Sequence, residues 1–236
     1  RVMDVNAHAR KISKAVLTKR RIADSASKIL VWVDNGGDDS AIPALTTNAV
    51  EKNFDKYCNL FEQGRDVSKA IIKAIQNKPA AEQAKMIQGR MDKAGAKKHL
   101  YYPVLAATGA KEAVAPIVEG YKSSTGEAQK SAFEGLCALN DASVLPTLLE
   151  ATANAELKDK AIARYIELTG ASTLNNDQKY MNYRKALETN PALKYKNQAL
   201  KALSATQNYQ AMMLAAEYMD NAETAQAAAN TVLQIA

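Results

Sequence analysis

The chain has 236 residues, and 47% of them are apolar, which is enough to bury a core in one or two domains or along a repeat array. No apolar run is as long as a membrane-spanning helix requires. Two cysteines without a C-x-x-C pair exclude a disulfide-dense scaffold.

The positive charge of the chain is concentrated at its N-terminus. Residues 1–30 contain eight Lys or Arg and two Asp or Glu, which gives this segment a net charge of +6. The whole chain also has a net charge of +6, so the remaining residues are neutral in sum. If the helical repeats bound nucleic acid, several of them would be expected to carry a basic stripe. Nucleic-acid binding through residues 10–28 is therefore the less favoured interpretation.

The N-terminal helices are predicted to differ in length. Apolar spacing indicates one long helix over 4–33, or two helices, and the Asp- and Gly-rich segment 34–40 ends it. Thr47 or Asn48 is expected to cap the next helix, with Glu51 completing a capping box.

Three more helices follow in this part of the chain. Asp66 is expected to cap a helix that Pro79 ends. Two further helices are predicted over 80–94 and 97–108, and a glycine follows each of them. Because these helices do not share a register, we interpret residues 1–96 as irregular helical hairpins or degenerate repeats.

A row of residues at i, i+4 and i+7 recurs in the C-terminal two thirds of the chain. The rows are Leu100, Val104 and Ala107; Ala132, Leu136 and Leu139; Ala161, Tyr165 and Leu168; Ala228, Val232 and Ile235; and an imperfect one at Ala199, Leu203 and Thr206. The first positions lie 29 to 38 residues apart. A period in that range, with one amphipathic helix in each unit, is typical of stacked helical pairs.

The first helix of each pair carries its own signal. Pro116 and Pro146 lie 30 residues apart in similar segments, and proline is tolerated in the first turn of a helix. Asp141 is a good N-cap residue for the second of these helices. Further helices are predicted near 177–188, 193–204, 208–219 and 222–235, and no alternating run long enough for a strand is present.

These patterns predict an all-α fold, an α-α superhelix without significant strand. Residues 97–236 form the regular array in this prediction, and one continuous solenoid includes the irregular helices before it. Each helical pair has an apolar face that only a stacked neighbour can cover.

The segment Asp141-Ala142-Ser143-Val144-Leu145-Pro146-Thr147-Leu148-Leu149-Glu150 resembles HEAT-like repeats of the short, bilin-lyase type. The resemblance covers residues 97–236. It implies stacked pairs of helices, and it carries over no catalytic residue.

The last third is similar to HEAT-like regions of large exported proteins of the Bacteroidetes and Planctomycetes. The resemblance rests on Lys160–Leu168, Tyr183–Glu188, Ala199–Leu203, Leu214–Asp220 and Ala227–Ala236. In those proteins the array often precedes a jelly-roll domain of the 3-keto-disaccharide hydrolase type. The resemblance implies a periplasmic or surface protein connected with carbohydrate use, in which this region supports a domain that the chain lacks.

The ends of the chain agree with a fragment of a longer protein. The sequence starts at Arg1, and its last apolar run reaches Ala236 without a polar cap. A solenoid needs polar caps at its ends. We therefore expect that the full protein extends beyond this sequence.

Residues with catalytic or metal-binding chemistry are few. His8 and His99 are the only histidines, which excludes a His-rich metal site within one chain, and no sequence pattern places a Ser-His-Asp triad. Cys58 and Cys137 are interpreted as structural core residues rather than reactive thiols. His99 is interpreted as a packed residue at a helix start.

Two short acidic or nucleophilic patterns are weak signals. Asp34, Asp38 and Asp39 have the ligand chemistry for calcium, but their spacing does not match an EF-hand and suits a helix-ending turn better. Ser25 and Lys28 have the S-x-x-K spacing of a Ser-Lys nucleophile without its partner motifs, so a polar helix face is the favoured interpretation.

Tyrosine is enriched, with ten Tyr against three Phe and one Trp. Seven tyrosines in the C-terminal array are candidate anchors for a protein or a sugar: Tyr101, Tyr102, Tyr121, Tyr165, Tyr180, Tyr183 and Tyr195. Tyr165 falls in a core row, and about half of the set is expected to be packing residues.

The sequence therefore predicts a non-catalytic interaction or scaffold module, with no catalytic, cofactor-binding or metal-binding residue and no cofactor. The expected partner is a protein or a neighbouring domain of the same polypeptide. Carbohydrate contact is expected only through a missing domain. The sequence pattern does not identify the partner-binding residues.

Overall fold

The computed structural model describes residues 27–36 and 39–236. These residues form fourteen α-helices, several short 3₁₀ turns and no strand, so the predicted all-α class is confirmed. No helix among them is long and apolar enough to cross a bilayer. The described residues divide into two compact units, with the boundary between residues 110 and 111.

The first unit contains six of the described helices. They are α1 (27–34), α2 (Ile42–Thr47), α3 (Phe54–Glu62), α4 (Ser68–Ile75), α5 (Ala80–Lys93) and α6 (Tyr102–Ala106). Helix α4 packs against α2, α3 and α6, and α5 packs against α6 and the 3₁₀ turn Gly95–Tyr101. Tyr57, Leu60, Ile71 and Ile87 are among the fully buried side chains of this core.

Several predictions for the first unit are wrong. Asp66 does not cap α4, whose N-cap residue is Val67 without a side-chain hydrogen bond. Asn48 does not begin a helix with Glu51: it ends α2, and its side-chain Nδ2 donates to the Ala44 carbonyl at 2.9 Å. The single helix predicted over 97–108 is split into the 3₁₀ turn Gly95–Tyr101 and α6. Pro103 lies in the first turn of α6. Backbone N–H groups have no intrahelical partner in that turn, so the missing N–H of proline costs no hydrogen bond.

The second unit contains eight helices in four consecutive hairpins. They are α7 (Val114–Ser123) with α8 (Gly126–Ala138), α9 (Leu145–Ala151) with α10 (Lys158–Ala171), α11 (Asn176–Glu188) with α12 (Leu193–Leu203), and α13 (Tyr209–Ala216) with α14 (Ala225–Ile235). The two helices of each hairpin pack together. Helix α12 also contacts α10 and α14, and α11 contacts α13.

Most of the predicted rows lie in the core of the second unit. All residues of the rows that begin at Ala132, Ala161 and Ala199 are buried. In the last row Ala228 is buried, whereas Val232 and Ile235 are only half-buried and Thr231 takes the core position. Thr231 fits there because its hydroxyl donates to the Leu200 carbonyl at 2.8 Å.

The first row, Leu100, Val104 and Ala107, is out of register. Only Val104 is buried, while Leu100 is half-buried and Ala107 is exposed. Tyr101 and Leu105 are buried instead. This row also falls in the first unit, because the unit boundary at 110/111 comes later than the start of the regular array predicted at residue 97.

Side-chain caps define several helix starts in the second unit. Asp141 accepts a hydrogen bond from the Ser143 backbone N–H at 2.8 Å and caps the 3₁₀ turn Ala142–Val144 that leads into α9, whereas α9 itself has no side-chain cap. The side-chain and backbone hydrogen bonds from Ser143 hold the pKa of the Asp141 carboxyl below its usual range. Asn175 and Gln178 form a capping box at α11, and Asn208 caps α13. These caps fix where the first helices of two successive hairpins begin.

Polar side chains connect successive hairpins at similar sequence offsets. Lys122 lies 3.2 Å from Glu150, and Lys130 lies 2.7 Å from Glu156. Lys160 pairs with Glu134, and Arg164 donates to the Leu139 carbonyl at 2.8 Å. The linked residues are 24–32 positions apart in sequence along most of the unit.

Candidate interaction surface

A cleft lies on the surface of the second unit, between the first helices of its last two hairpins. Its volume is about 330 Å³. Helix α11 contributes Tyr180, Arg184, Leu187 and Glu188, and α13 with its C-terminal turn contributes Tyr209, Gln210, Met213, Leu214, Glu217 and Tyr218. We call this set the α11–α13 surface.

The two helix starts position this surface. Asn208, the N-cap of α13, donates from Nδ2 to Asp177 Oδ1 in the first turn of α11 at 3.4 Å. Tyr180 and Arg184 are spaced i and i+4 on α11, and Tyr209 and Met213 are spaced i and i+4 on α13. Residues at this spacing share one helix face, so each helix presents a stripe to the cleft.

Two large side chains of the α11–α13 surface are accessible to solvent. Tyr209 is 66% exposed and Met213 is 47% exposed, whereas Ala211 and Ala215 of the same helix are fully buried. Tyr, Met and Arg are the residue types enriched at the centres of protein–protein interfaces. The composition of this surface therefore fits a binding site for another protein.

The charged residues of the surface include one ion pair. Arg184 Nε lies 2.9 Å from Glu188 Oε1 on the next turn, and the hydrogen bond to Glu188 raises the pKa of Arg184. Burial raises the pKa of Tyr218, so its hydroxyl stays protonated at neutral pH. The surface thus combines the Arg184–Glu188 ion pair with the neutral phenol of Tyr218.

A second recess borders the other side of α11. Leu145 and Pro146 of α9 face Asn182 and Lys185 of α11 across about 430 Å³. Asn182 is held in place because its Oδ1 accepts the Tyr165 hydroxyl at 2.9 Å. The first helices α9, α11 and α13 therefore carry recesses on both sides of α11.

Sequence reasoning missed most of this surface. Tyr180 was among the candidate anchors, but Tyr209, Tyr218 and Met213 were not. Of the seven tyrosines considered, Tyr180 and Tyr195 are half-buried and the other five are buried packing residues. The available signal was the pair of small residues, Ala211 and Ala215, at the positions where α13 packs.

The remaining candidate residues that the structure describes do not gather into a metal site. His99 lies in the 3₁₀ turn Gly95–Tyr101, with Nδ1 2.9 Å from the Ala96 carbonyl. Asp39 pairs with Arg65. Residues 27–36 and 39–236 contain no group of three or more His, Cys, Asp or Glu suited to a metal ion. His8, Ser25, Asp38 and most of the basic segment 10–28 lie outside the described residues.

The two cysteines are protonated at neutral pH. Burial raises the pKa of Cys58 to about 11 and that of Cys137 to about 11. Cys58 is fully buried as predicted, whereas Cys137 is only half-buried rather than a core residue. A thiol that stays protonated is a weak nucleophile.

The first unit contains a cluster of side chains whose pKa values are strongly shifted. The sequence patterns do not predict this cluster. Glu62 Oε1 accepts the Tyr101 hydroxyl at 2.6 Å and Arg90 Nε at 2.7 Å. Arg90 Nη2 donates to Glu62 Oε2 at 2.9 Å and to Asn59 Oδ1 at 2.6 Å. Both carboxylate oxygens are therefore engaged, and the cluster joins α3, α5 and the turn Gly95–Tyr101 as a structural element.

Comparison of the chain with models of known protein families, with curated proteins and with solved structures finds no match.

Proposed function

We propose that the protein is a non-catalytic interaction scaffold, in which the hairpins of the second unit stack as a HEAT-like solenoid and the α11–α13 surface binds a partner protein. The observation that carries the proposal is the exposure of Tyr209 and Met213 beside Tyr180 and Arg184. In α13, small residues fill the core and large apolar side chains lie outside it. This arrangement favours a binding role for the large side chains over a packing role.

Two features support the solenoid arrangement. Second helices contact second helices along the series α10, α12 and α14, and first helices α11 and α13 contact each other. Polar bonds between hairpins recur at offsets of 24–32 residues. Contacts restricted to neighbouring units are the defining property of repeat arrays.

Truncation tests the stacking. Removing residues 208–236, which hold α13 and α14, is expected to leave a cooperatively folded chain, because each hairpin of an array depends mainly on its neighbour. Urea unfolding should give a lower m-value, because less surface becomes exposed on unfolding. Circular dichroism of the folded chain should show an unchanged helix content per remaining residue.

The opposite result is also clear. If helices of the second unit share one closed core, removal of the same residues will abolish the cooperative transition and leave a chain that aggregates or lacks helix. That outcome would contradict the solenoid. The intact chain, measured under the same conditions, is the control.

Site-specific crosslinking tests the binding role. With a photo-crosslinking phenylalanine derivative in place of Met213, we expect discrete protein adducts in the host cell. Tyr209→Ala with Arg184→Ala should remove them, because hot-spot truncations cost about 2 kcal/mol or more each. Lys201, an exposed residue of α12, is the matched control position. Equal adducts from both positions, or none from position 213, would contradict the proposal.

The exported location and the carbohydrate-active neighbouring domain that the resemblance implies stay predictions.

A further inference from the structure

The first unit carries an apolar groove of about 500 Å³. One wall is a stripe of Lys69, Ile72 and Lys73 of α4 with the C-cap residue Gln76. The opposite wall consists of Leu100 of the 3₁₀ turn, Pro103 and Val104 of α6, and the C-cap residue Ala107. Phe61 of α3 and Thr46 of α2 complete the lining, together with Ser68. The row that the repeat pattern assigned to the core therefore lines this groove.

The charged side chains among the described lining residues of the groove all have one sign. Lys69 and Lys73 are exposed, lie one helical turn apart, and form no ion pair with any described residue. The described residues that line the groove include no Asp or Glu. An occupant with an apolar stripe and flanking carboxylates would match both properties.

We propose that this groove binds an amphipathic helix of a partner protein, with apolar anchors toward Ile72 and Val104 and with acidic residues beside Lys69 and Lys73. The stripe from Lys69 to Gln76 extends over about 10 Å, or two helical turns. Helix-in-groove recognition uses anchors at the spacing i, i+3, i+4 and i+7. The inference concerns the first unit and does not rest on the α11–α13 surface.

Other occupants fit the groove less well. Residues 1–30 of the chain have eight basic and two acidic side chains, so this segment would place like charges beside Lys69 and Lys73. The carboxylate of a single-chain fatty acid would pair with one of the two lysines. However, binding sites for small molecules enclose most of the ligand surface. This groove is instead bordered by exposed residues such as Ala107.

A displayed library of helical peptides tests the proposal on the full chain. The peptides have about 15 residues, a length at which helices become stable in water. Apolar residues are fixed at i, i+3, i+4 and i+7, and the flanking positions vary equally among Glu, Lys and Ser. Selection is performed on the unchanged protein, on K69E/K73E, and on the control K56E/K85E, whose exposed lysines lie outside the groove lining.

We expect Glu to be enriched on the unchanged protein and on the control, and Lys to be enriched on K69E/K73E. The selected acidic peptide should bind K69E/K73E roughly tenfold more weakly, because two attractive rim pairs become repulsive. The same peptide should lose binding to Ile72→Lys. Circular dichroism of each variant verifies that the fold is retained.

Several outcomes would overturn the proposal. These are the absence of enriched peptides, the same charge preference in all three proteins, or an affinity that Ile72→Lys leaves unchanged. Binding of palmitate without any peptide binding would assign the groove to a lipid carboxylate. Peptide binding only after deletion of residues 1–26 would assign it to the protein's own N-terminal segment.

Discussion

Replacing Leu136 by Asp is expected to unfold the second unit. Leu136 is fully buried in α8, next to the buried residues Ala132 and Leu139. The substitution removes an apolar side chain that stabilises the fold by about 1.5–3 kcal/mol and places a carboxylate where it has no partner. The combined loss exceeds about 4–5 kcal/mol, which is a large part of the stability of an ordinary domain.

Thermal unfolding by circular dichroism measures this effect. Ala138→Asp, two positions later in α8, is the matched control, because Ala138 is exposed and the added charge is the same. The control should cost less than about 1 kcal/mol, mainly through the unfavourable position of a carboxylate at a helix C-terminus. A Leu136→Asp protein with the Tm of the parent would show that the repeat register is wrong.

The second large effect is expected for Arg90→Met. The side chains of Arg90 and Glu62 are 15% and 18% exposed, and the substitution leaves the Glu62 carboxylate in place without its main partner. Removing one member of a buried pair costs more than the pair contributes, because the remaining charge is desolvated. We expect a loss of about 2–4 kcal/mol in the free energy of unfolding, measured by urea titration at pH 7.

Two further variants separate the ion pair from packing. Adding Glu62→Gln to Arg90→Met should recover much of the loss, because Gln is neutral and its carbonyl still accepts the Tyr101 hydroxyl. Arg184→Met removes the guanidinium of an exposed pair and should cost less than about 1 kcal/mol. If Arg90→Met and Arg184→Met have equal effects, the Glu62 cluster does not stabilise the first unit.

The same pair predicts a pH dependence. Burial acts to raise the pKa of Glu62, but the hydrogen bonds from Arg90 and Tyr101 outweigh it and hold the pKa below its ordinary value of 4.5. A carboxylate whose pKa is lower in the folded state contributes stability above its unfolded pKa and loses it as the pH falls through the folded value. The stability difference between the parent and Arg90→Met should therefore shrink below about pH 4.5.

The accuracy of the repeat pattern depended on regular α-helix. The rows at Ala132 and Ala161 lie in long helices, where a spacing of i, i+4 and i+7 keeps one face inward. The row at Leu100 crosses a 3₁₀ turn, which has three residues per turn instead of 3.6. Extrapolating the α period through that turn shifts the phase, and Tyr101 occupies the core position instead.

The sequence pattern could not predict the α11–α13 surface or the Glu62 cluster, and the physical reasons differ. In α13 the small residues Ala211 and Ala215 are inside and Tyr209 is outside, which reverses the usual relation between size and burial. Glu62 and Arg90 are 28 residues apart and lie on different helices, so no local spacing links them. Only the packing of α3 against its neighbours brings the two charges together.

The offset of 24–32 residues between bonded side chains of successive hairpins has a consequence for the newly made chain. Ribosomes add about 5–20 residues per second, so a hairpin that has just emerged waits only about 1–6 seconds for the next one to offer its bonding partners. Closing loops of this size costs little entropy, and such short-range contacts form quickly. The second unit can thus acquire its order from the N-terminal side during synthesis, one hairpin after another.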